Sequence, residues 1–247
     1  MFTIQQKFRS DYQGEDAIVE FVLQDGVWWP RTEFMPNTIN INRRRHQAVV
    51  IGNGVSRTRL AANYHSIMNM QSVFGPDAIL TYGCNALYRD YSPVFLVAHG
   101  DAMTQEIVES GYAQNHQVYS SGKHVYQYGP QLHLIPQNPE MDAGAIAAYL
   151  ACFDQHRVVY LMGFDTDGGS GQVVSNIYAG TDNYPVIGDP SSDLLGVLSL
   201  ASVASVYTDV EFVRVMPRES FHMPEQWRYL TNFRQIEFRQ FIQEIGL

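Results

Sequence analysis

A mostly parallel α/β sheet with helices on both faces is predicted by three observations. Short apolar runs without polar alternation recur along the chain, as strands buried on both faces require. From about residue 47 onward they alternate with helix-compatible segments. The first such unit, residues 47–57, runs from Ala48-Val49-Val50-Ile51 into Gly52-Asn53-Gly54, and then through Ser56 into a helix-compatible stretch at 58–70. That order reads as buried strand, tight glycine turn and helix start, the opening of a Rossmann-like domain.

The remaining elements follow in order. Residues 78–82 and 94–98 are apolar runs of strand length, and 102–109 is a helix closed by Gly111. Gln117–Ser120 is a strand, Ala143–Phe153 an alanine-rich helix, and Val158–Met162 a buried strand. Residues 192–205 are expected to be helical, 211–215 extended, and 233–245 a final amphipathic helix. Residues 1–46 differ in character. A strand at 17–23 and a turn at 24–26 precede Trp28, Trp29 and Pro30, and a polar stretch with Pro36 and Asn37 follows. The expected division is an N-terminal extension at 1–46 and a nucleotide-binding domain at 47–247. The extension is expected to pack on that domain or on a partner subunit, which leaves a homo-oligomer open.

Composition narrows the classes of function. The chain has 247 residues, 45% hydrophobic and 17% charged, with ample core material for one large domain. Its formal net charge is −9, and Arg43-Arg44-Arg45 is its only basic cluster. Nucleic acid is excluded as a main partner, because phosphate backbones demand a basic surface. Cys84 and Cys152 lie in apolar surroundings without a C-x-x-C partner, which argues against a disulfide framework or a zinc knuckle. The first residues lack the apolar region of a signal peptide, and no segment has the apolar length of a membrane span. A soluble, cytoplasmic protein is expected.

In parallel sheets ligands bind beyond the C-terminal strand ends. Those ends carry Gly52, Asn53, Gly54 and Ser56, then Gly83-Cys84-Asn85, then His99-Gly100-Asp101, then Gly163-Phe164-Asp165-Thr166-Asp167. Glycines allow close backbone approach, and a helix start favours an anion, so a phosphate-bearing ligand is expected at Gly52–Ser56. The turn departs from G-x-G-x-x-G because Arg57 takes the place of the third glycine, which disfavours a dinucleotide dehydrogenase. Asn53 and Asn85 offer both donor and acceptor to a base, ribose or phosphate, or else they are turn residues. Asp165 and Asp167 could hold a divalent ion, or form a polar loop. Asp101 could take a ribose hydroxyl or a metal, and His99 contacts ligand or is structural. His222 is a candidate base. The long segment 168–190 has little regular pattern, so it reads as a lid or binding loop whose Tyr178 and Tyr184 could donate to a phosphate.

This ordered set resembles the bacterial lipooligosaccharide sialyltransferases, which use a cytidine-monophosphate sugar donor, and is similar to the related group containing archaeal 6-hydroxymethylpterin diphosphokinases. The resemblance rests on Ile51-Gly52-Asn53-Gly54-Val55-Ser56, on Gly83-Cys84-Asn85-Ala86-Leu87-Tyr88, and on the helix, strand and turn that end at Gly163-Phe164-Asp165. It spans roughly residues 47–215. It implies that Asn53, Gly54 and Ser56 hold the donor phosphate, that Asn85 contacts the donor, and that Tyr178 and Tyr184 match the phosphate-contacting tyrosines. Asp189, in Val186-Ile187-Gly188-Asp189-Pro190, occupies the place of the family's histidine base and would need burial to raise its pKa. The implied activity is glycosyl transfer from a nucleotide sugar to an acceptor. The alternatives are a magnesium-dependent ATP diphosphotransferase acting on a small alcohol, and a non-catalytic nucleotide-binding protein.

Overall fold

The structure is a computed structural model that describes residues 2–5, 18–24, 27–30, 47–62, 65–67, 79–136, 139–166, 176–187, 190–217 and 222–247. Among the described residues, eleven strands form two sheets. The smaller is an antiparallel meander of β1 (Phe2–Gln5), β2 (Ile18–Gln24) and β3 (Val27–Pro30). The larger has eight strands: β4 (Gln47–Ile51), β5 (Leu80–Cys84), β6 (Phe95–Val97), β7 (Gln117–Ser120), β8 (His133–Leu134), β9 (Val158–Met162), β10 (Glu211–Met216) and β11 (Phe233–Glu237). Every pairing in it is parallel. This is the α/β, Rossmann-like architecture that the apolar runs predict.

Parallel strands need long crossovers, and helices supply several of them. They are α1 (Asp101–Glu109), α2 (Tyr112–Asn115), α3 (Gly122–Tyr128), α4 (Ala143–Phe153), α5 (Pro190–Val206), α6 (Glu225–Arg228) and α7 (Phe238–Glu244). Both sheet faces are covered. Val49 and Ile51 of β4 join one apolar cluster with Met103 and Ile107 of α1 and Phe241 of α7. Ala48 and Val50 join the other, with α4 and the inner side of α5. Successive strand residues point to opposite faces, so an unbroken apolar run serves both cores. Every residue of α4 is buried, as a helix apolar all round must be.

The strand order is β11-β10-β9-β4-β5-β6-β7-β8. From β4 the chain builds outward through β5 to β8, then returns to the other side of β4 to lay down β9, β10 and β11. The order therefore reverses between β4 and β9. A crevice opens beyond the C-terminal ends at such a reversal.

Three expectations about elements need correction. Residues 233–245 form a strand and then a helix, β11 and α7, rather than one helix. The amphipathic pattern fits either form, and pairing with β10 decides for the strand. The stretch after Gly54 is a 3-10 helix, Val55–Ala62, with helical residues again at 65–67, while 68–70 lie outside the described residues. The helix α3 and the two-residue β8 also arise in a segment where the pattern predicts no element.

Candidate functional site

At the reversal point the loops after β4 and β9 interlock. Gly52 N donates to Met162 O at 2.8 Å and Gly54 N to Gly163 O at 2.9 Å, so the ladder continues past the strand ends. The glycines make this possible. A Cβ on Gly52 would stand 2.6 Å from Gly163 O, and one on Gly54 would stand 2.5 Å from Asp165 Cγ. Gly163 also has φ +77°, a backbone conformation that favours glycine. Close approach is thus the common role of Gly52, Gly54 and Gly163, and the body approached is the neighbouring loop.

Asp165 occupies the helix start. Its Oδ2 accepts from Ser56 N at 2.7 Å, and Ser56 Oγ accepts from Gly163 N at 3.2 Å. A carboxylate of the chain itself therefore stands at the backbone donor of Ser56, where the sequence places a phosphate. The other oxygen, Oδ1, is buried and makes no hydrogen bond within the described structure.

Beside this junction lies a cavity of about 380 Å³. Asn53, Gly54 and Tyr184 line one side, and Gly163, Phe164 and Asp165 another. Asp142, Asp193, Gly196 and the buried Trp227 complete its far wall. Asp142 is there because it caps α4, accepting from Gly144 N at 2.9 Å, and Asp193 because it opens α5. Aspartates before helical runs are visible in sequence as caps, but only the fold turns them toward one space.

A second set of contacts gathers around Tyr184. Its hydroxyl oxygen accepts from Asn53 Nδ2 at 3.0 Å, with the Asn85 side chain and the Ala86 backbone N–H beside it. The two asparagines from neighbouring strand ends thus converge on one oxygen. Burial pushes the tyrosine pKa up to about 12, with the nearby Cys84 adding to it and these donors opposing. Asn85 has φ +49°, and its Oδ1 accepts from His99 N at 2.8 Å. Asn53 Oδ1 is a second buried acceptor without a hydrogen bond in the described structure.

One buried guanidinium backs the segment 164–166. Arg214 of β10 is 1% exposed. It donates to Phe164 O at 2.9 Å, Thr166 O at 2.8 Å, His222 O at 2.8 Å and Gln235 Oε1 at 3.1 Å. Burial lowers its pKa to about 10, with Asp165 and Asp193 pulling it back. A single arginine inside the apolar strand Glu211–Met216 was the sequence signal for it.

The other expected residues lie elsewhere. Tyr178 is buried, its hydroxyl between Arg57 Nη2 at 2.6 Å and Asp90 Oδ2 at 2.7 Å. This explains the missing third glycine: Arg57 is 1% exposed, bridges Asp90 at 3.0 Å, and lies over the rings of Tyr91 and Tyr178. Asp101 stands away from the cavity, paired with Lys123 and His124. His222 is exposed, with its ring 2.9 Å from Arg228 Nη2. Asp167 and Asp189 lie outside the described residues, as does much of the expected lid. Its part at 176–187 is tied down: Arg89 donates to Thr181 Oγ1 and Asp182 O, and Asn183 to Glu106. Burial pushes the Cys84 thiol up to about 12, which keeps it protonated and unreactive.

No family model and no curated protein matches this chain. Among solved structures it is similar to the sialyltransferase CstII from Campylobacter jejuni, solved with the substrate analogue cytidine-5'-monophosphate. The identity is 12% and the TM-score 0.38, over 68% of this chain and 79% of that one.

Proposed function

We propose that the protein binds a nucleotide sugar of the cytidine-monophosphate type in this cavity and transfers the sugar to an acceptor. The observation that carries the reading is the position of the cavity at the strand-order reversal, with Tyr184 presented at its wall. The Tyr184 oxygen accepts from Asn53 Nδ2 at 3.0 Å, which leaves the hydroxyl proton to be donated in another direction. Such a hydroxyl is prepared to donate to an anionic oxygen. The lining also holds Asp142, Asp165 and Asp193, which ask for hydrogen-bond donors. Ribose and sugar hydroxyls supply them, while the single charge of a phosphodiester sits at the tyrosine. Asp189 is the proposed base, and Asp165 the residue that holds both the helix start and the donor.

The carboxylates of the lining also suit a second reading, in which a magnesium ion arrives with ATP and its diphosphate is transferred, although among the described residues no group of three or more acidic, cysteine or histidine side chains is placed to hold a metal. A polyphosphate beside three carboxylates requires such a counter-cation. Calorimetry with CMP, a CMP-sugar and magnesium-ATP separates the two. The first reading expects CMP binding that weakens in Tyr184→Phe by about 1.5–3 kcal/mol, the worth of a hydrogen bond to a charged group. That is roughly ten- to 150-fold in affinity. Absence of binding by any cytidine nucleotide, or equal affinity in a folded Tyr184→Phe, overturns it.

A further inference from the structure

Beyond β6 and β7, at the same sheet edge but three strands from β4, stands a second group of reactive side chains. At about 4.8 Å per strand, this is on the order of 14 Å away. It does not line the cavity and has no part in the reading above. His124 of α3 is its centre. Its Nε2 lies 2.9 Å from Asp101 Oδ1, so the carboxylate fixes the proton on Nε2 and leaves Nδ1 as an acceptor. Burial lowers the pKa of the ring below its ordinary value, against the pull of Asp101, so the imidazole is neutral near pH 7.

Three hydroxyls face Nδ1: Ser120 Oγ at 2.9 Å, Ser121 Oγ at 3.1 Å and Thr104 Oγ1 at 3.3 Å. Two of them have spent their protons. Ser120 donates to Ala98 O at 2.7 Å and Thr104 to Gly100 O at 2.9 Å, both carbonyls of the main chain. Ser121 is left to donate to His124. Ser120 and Thr104 are fully buried, whereas Ser121 is partly exposed, at the junction of β7 and α3. Asp101 is open to solvent on the same edge. Elimination therefore yields one accessible hydroxyl, one imidazole ready to take its proton, and one carboxylate that orients the imidazole.

We propose that Ser121 is a nucleophile for small ester or other acyl donors, with His124 as general base and Asp101 as the positioning residue. In the first half, the Ser121 Oγ to acyl-carbon bond forms while the hydroxyl proton passes to His124 Nδ1. The bond from the acyl carbon to the leaving alcohol breaks, and the alcohol takes that proton. Water then attacks the acyl carbon and gives a proton to His124. Release of the carboxylic acid returns the proton to Ser121. No oxidant, metal or cofactor is consumed. Asp101 stays ionised throughout: the hydrogen bonds from Lys123 and His124 hold its carboxyl below the usual range.

The test uses diisopropyl phosphorofluoridate on the full chain, followed by tandem mass spectrometry. Attack forms the Ser121 oxygen–phosphorus bond, breaks the phosphorus–fluorine bond and releases fluoride with the hydroxyl proton. One adduct per chain is expected, on Ser121. His124→Gln should slow labelling about 100-fold, the lower bound of what general-base catalysis supplies. Asp101 is exposed, so Asp101→Asn keeps the fold and is the stricter control. It should slow labelling about tenfold or more, because the amide no longer fixes the tautomer. An unlabelled chain, an adduct on another residue, or equal labelling rates in the wild type and a folded Asp101→Asn overturns the proposal.

Discussion

Substitution of Gly163 by alanine tests the central packing argument. Two costs can be worked out from the structure. The first is conformational: at φ +77° an L-residue is in the left-handed region, at a cost of about 1–2 kcal/mol. The second is steric. The new Cβ would stand 2.7 Å from Gly52 O, 3.0 Å from Gly52 C and 3.2 Å from Gly54 N, all main-chain atoms. They have little room to retreat, because Gly52 N and Gly54 N are bonded across the same junction to Met162 O and Gly163 O. Overpacking of this kind costs about 1–3 kcal/mol. The sum is about 2–5 kcal/mol, a large share of the roughly 5–15 kcal/mol that holds a domain together. For a chain of this size each kcal/mol lowers Tm by about 2–4 °C, so scanning calorimetry should show a drop of roughly 4–20 °C. Gly111 is the internal control. It has φ +77° in the left-handed region, and a methyl added there would meet only Gln114 Nε2 at 4.0 Å, so Gly111→Ala carries the conformational cost alone. Equal Tm shifts in the two variants would refute the claim that the β4 and β9 loops interlock.

Four further outcomes are expected. Arg214→Met removes the hydrogen bonds to the Phe164, Thr166 and His222 carbonyls and a positive charge facing Asp165 and Asp193, and should cost about 3–5 kcal/mol in urea unfolding, as removal of one partner from a buried charge pair does; a loss under 1 kcal/mol, of order RT, would contradict it. Burial raises the Glu106 carboxyl, but hydrogen bonds from Arg89, Tyr88 and Asn183 outweigh it and leave the pKa below 4.5, so its contribution is complete above that value and lost as pH falls through the folded one. Hydrogen exchange, corrected for intrinsic rates, should therefore show residues 176–187 loosening as the pH falls below 4.5, and pH-independent protection would count against the tie. Chelation is expected to leave CMP affinity unchanged while Asp165→Ala lowers it; an affinity that needs a divalent ion would move the assignment to the diphosphotransferase reading. Asp189→Asn is expected to abolish sugar transfer with nucleotide binding nearly intact, and full turnover in that variant removes Asp189 as the base.

What the sequence determined by itself is the sheet and the edge on which to look. Unbroken apolar runs as short as residues 48–51 and 158–162, each stopped by glycine, read as strands covered on both faces, and glycine and polar residues gather where those runs stop. Asn53, Asn85 and Asp165 were legible for that reason. Short-range patterns did not separate strand from helix at 233–237, where pairing with β10 settled the form. They also left open what each group touches. The helix start at Ser56 called for an anion, and the fold supplied the chain's own Asp165 from 109 residues away. Tyr178 and Tyr184 looked equivalent, yet one is spent on Arg57 and Asp90 while the other lines the cavity. Asp142, Asp165 and Asp193 belong to three different parts of the chain, and only the reversal of strand order between β4 and β9 brings them around one space. Local sequence fixes backbone preference and burial, because those depend on neighbours along the chain; hydrogen-bond partners and shared cavities depend on neighbours in space, and the tertiary structure alone decides them.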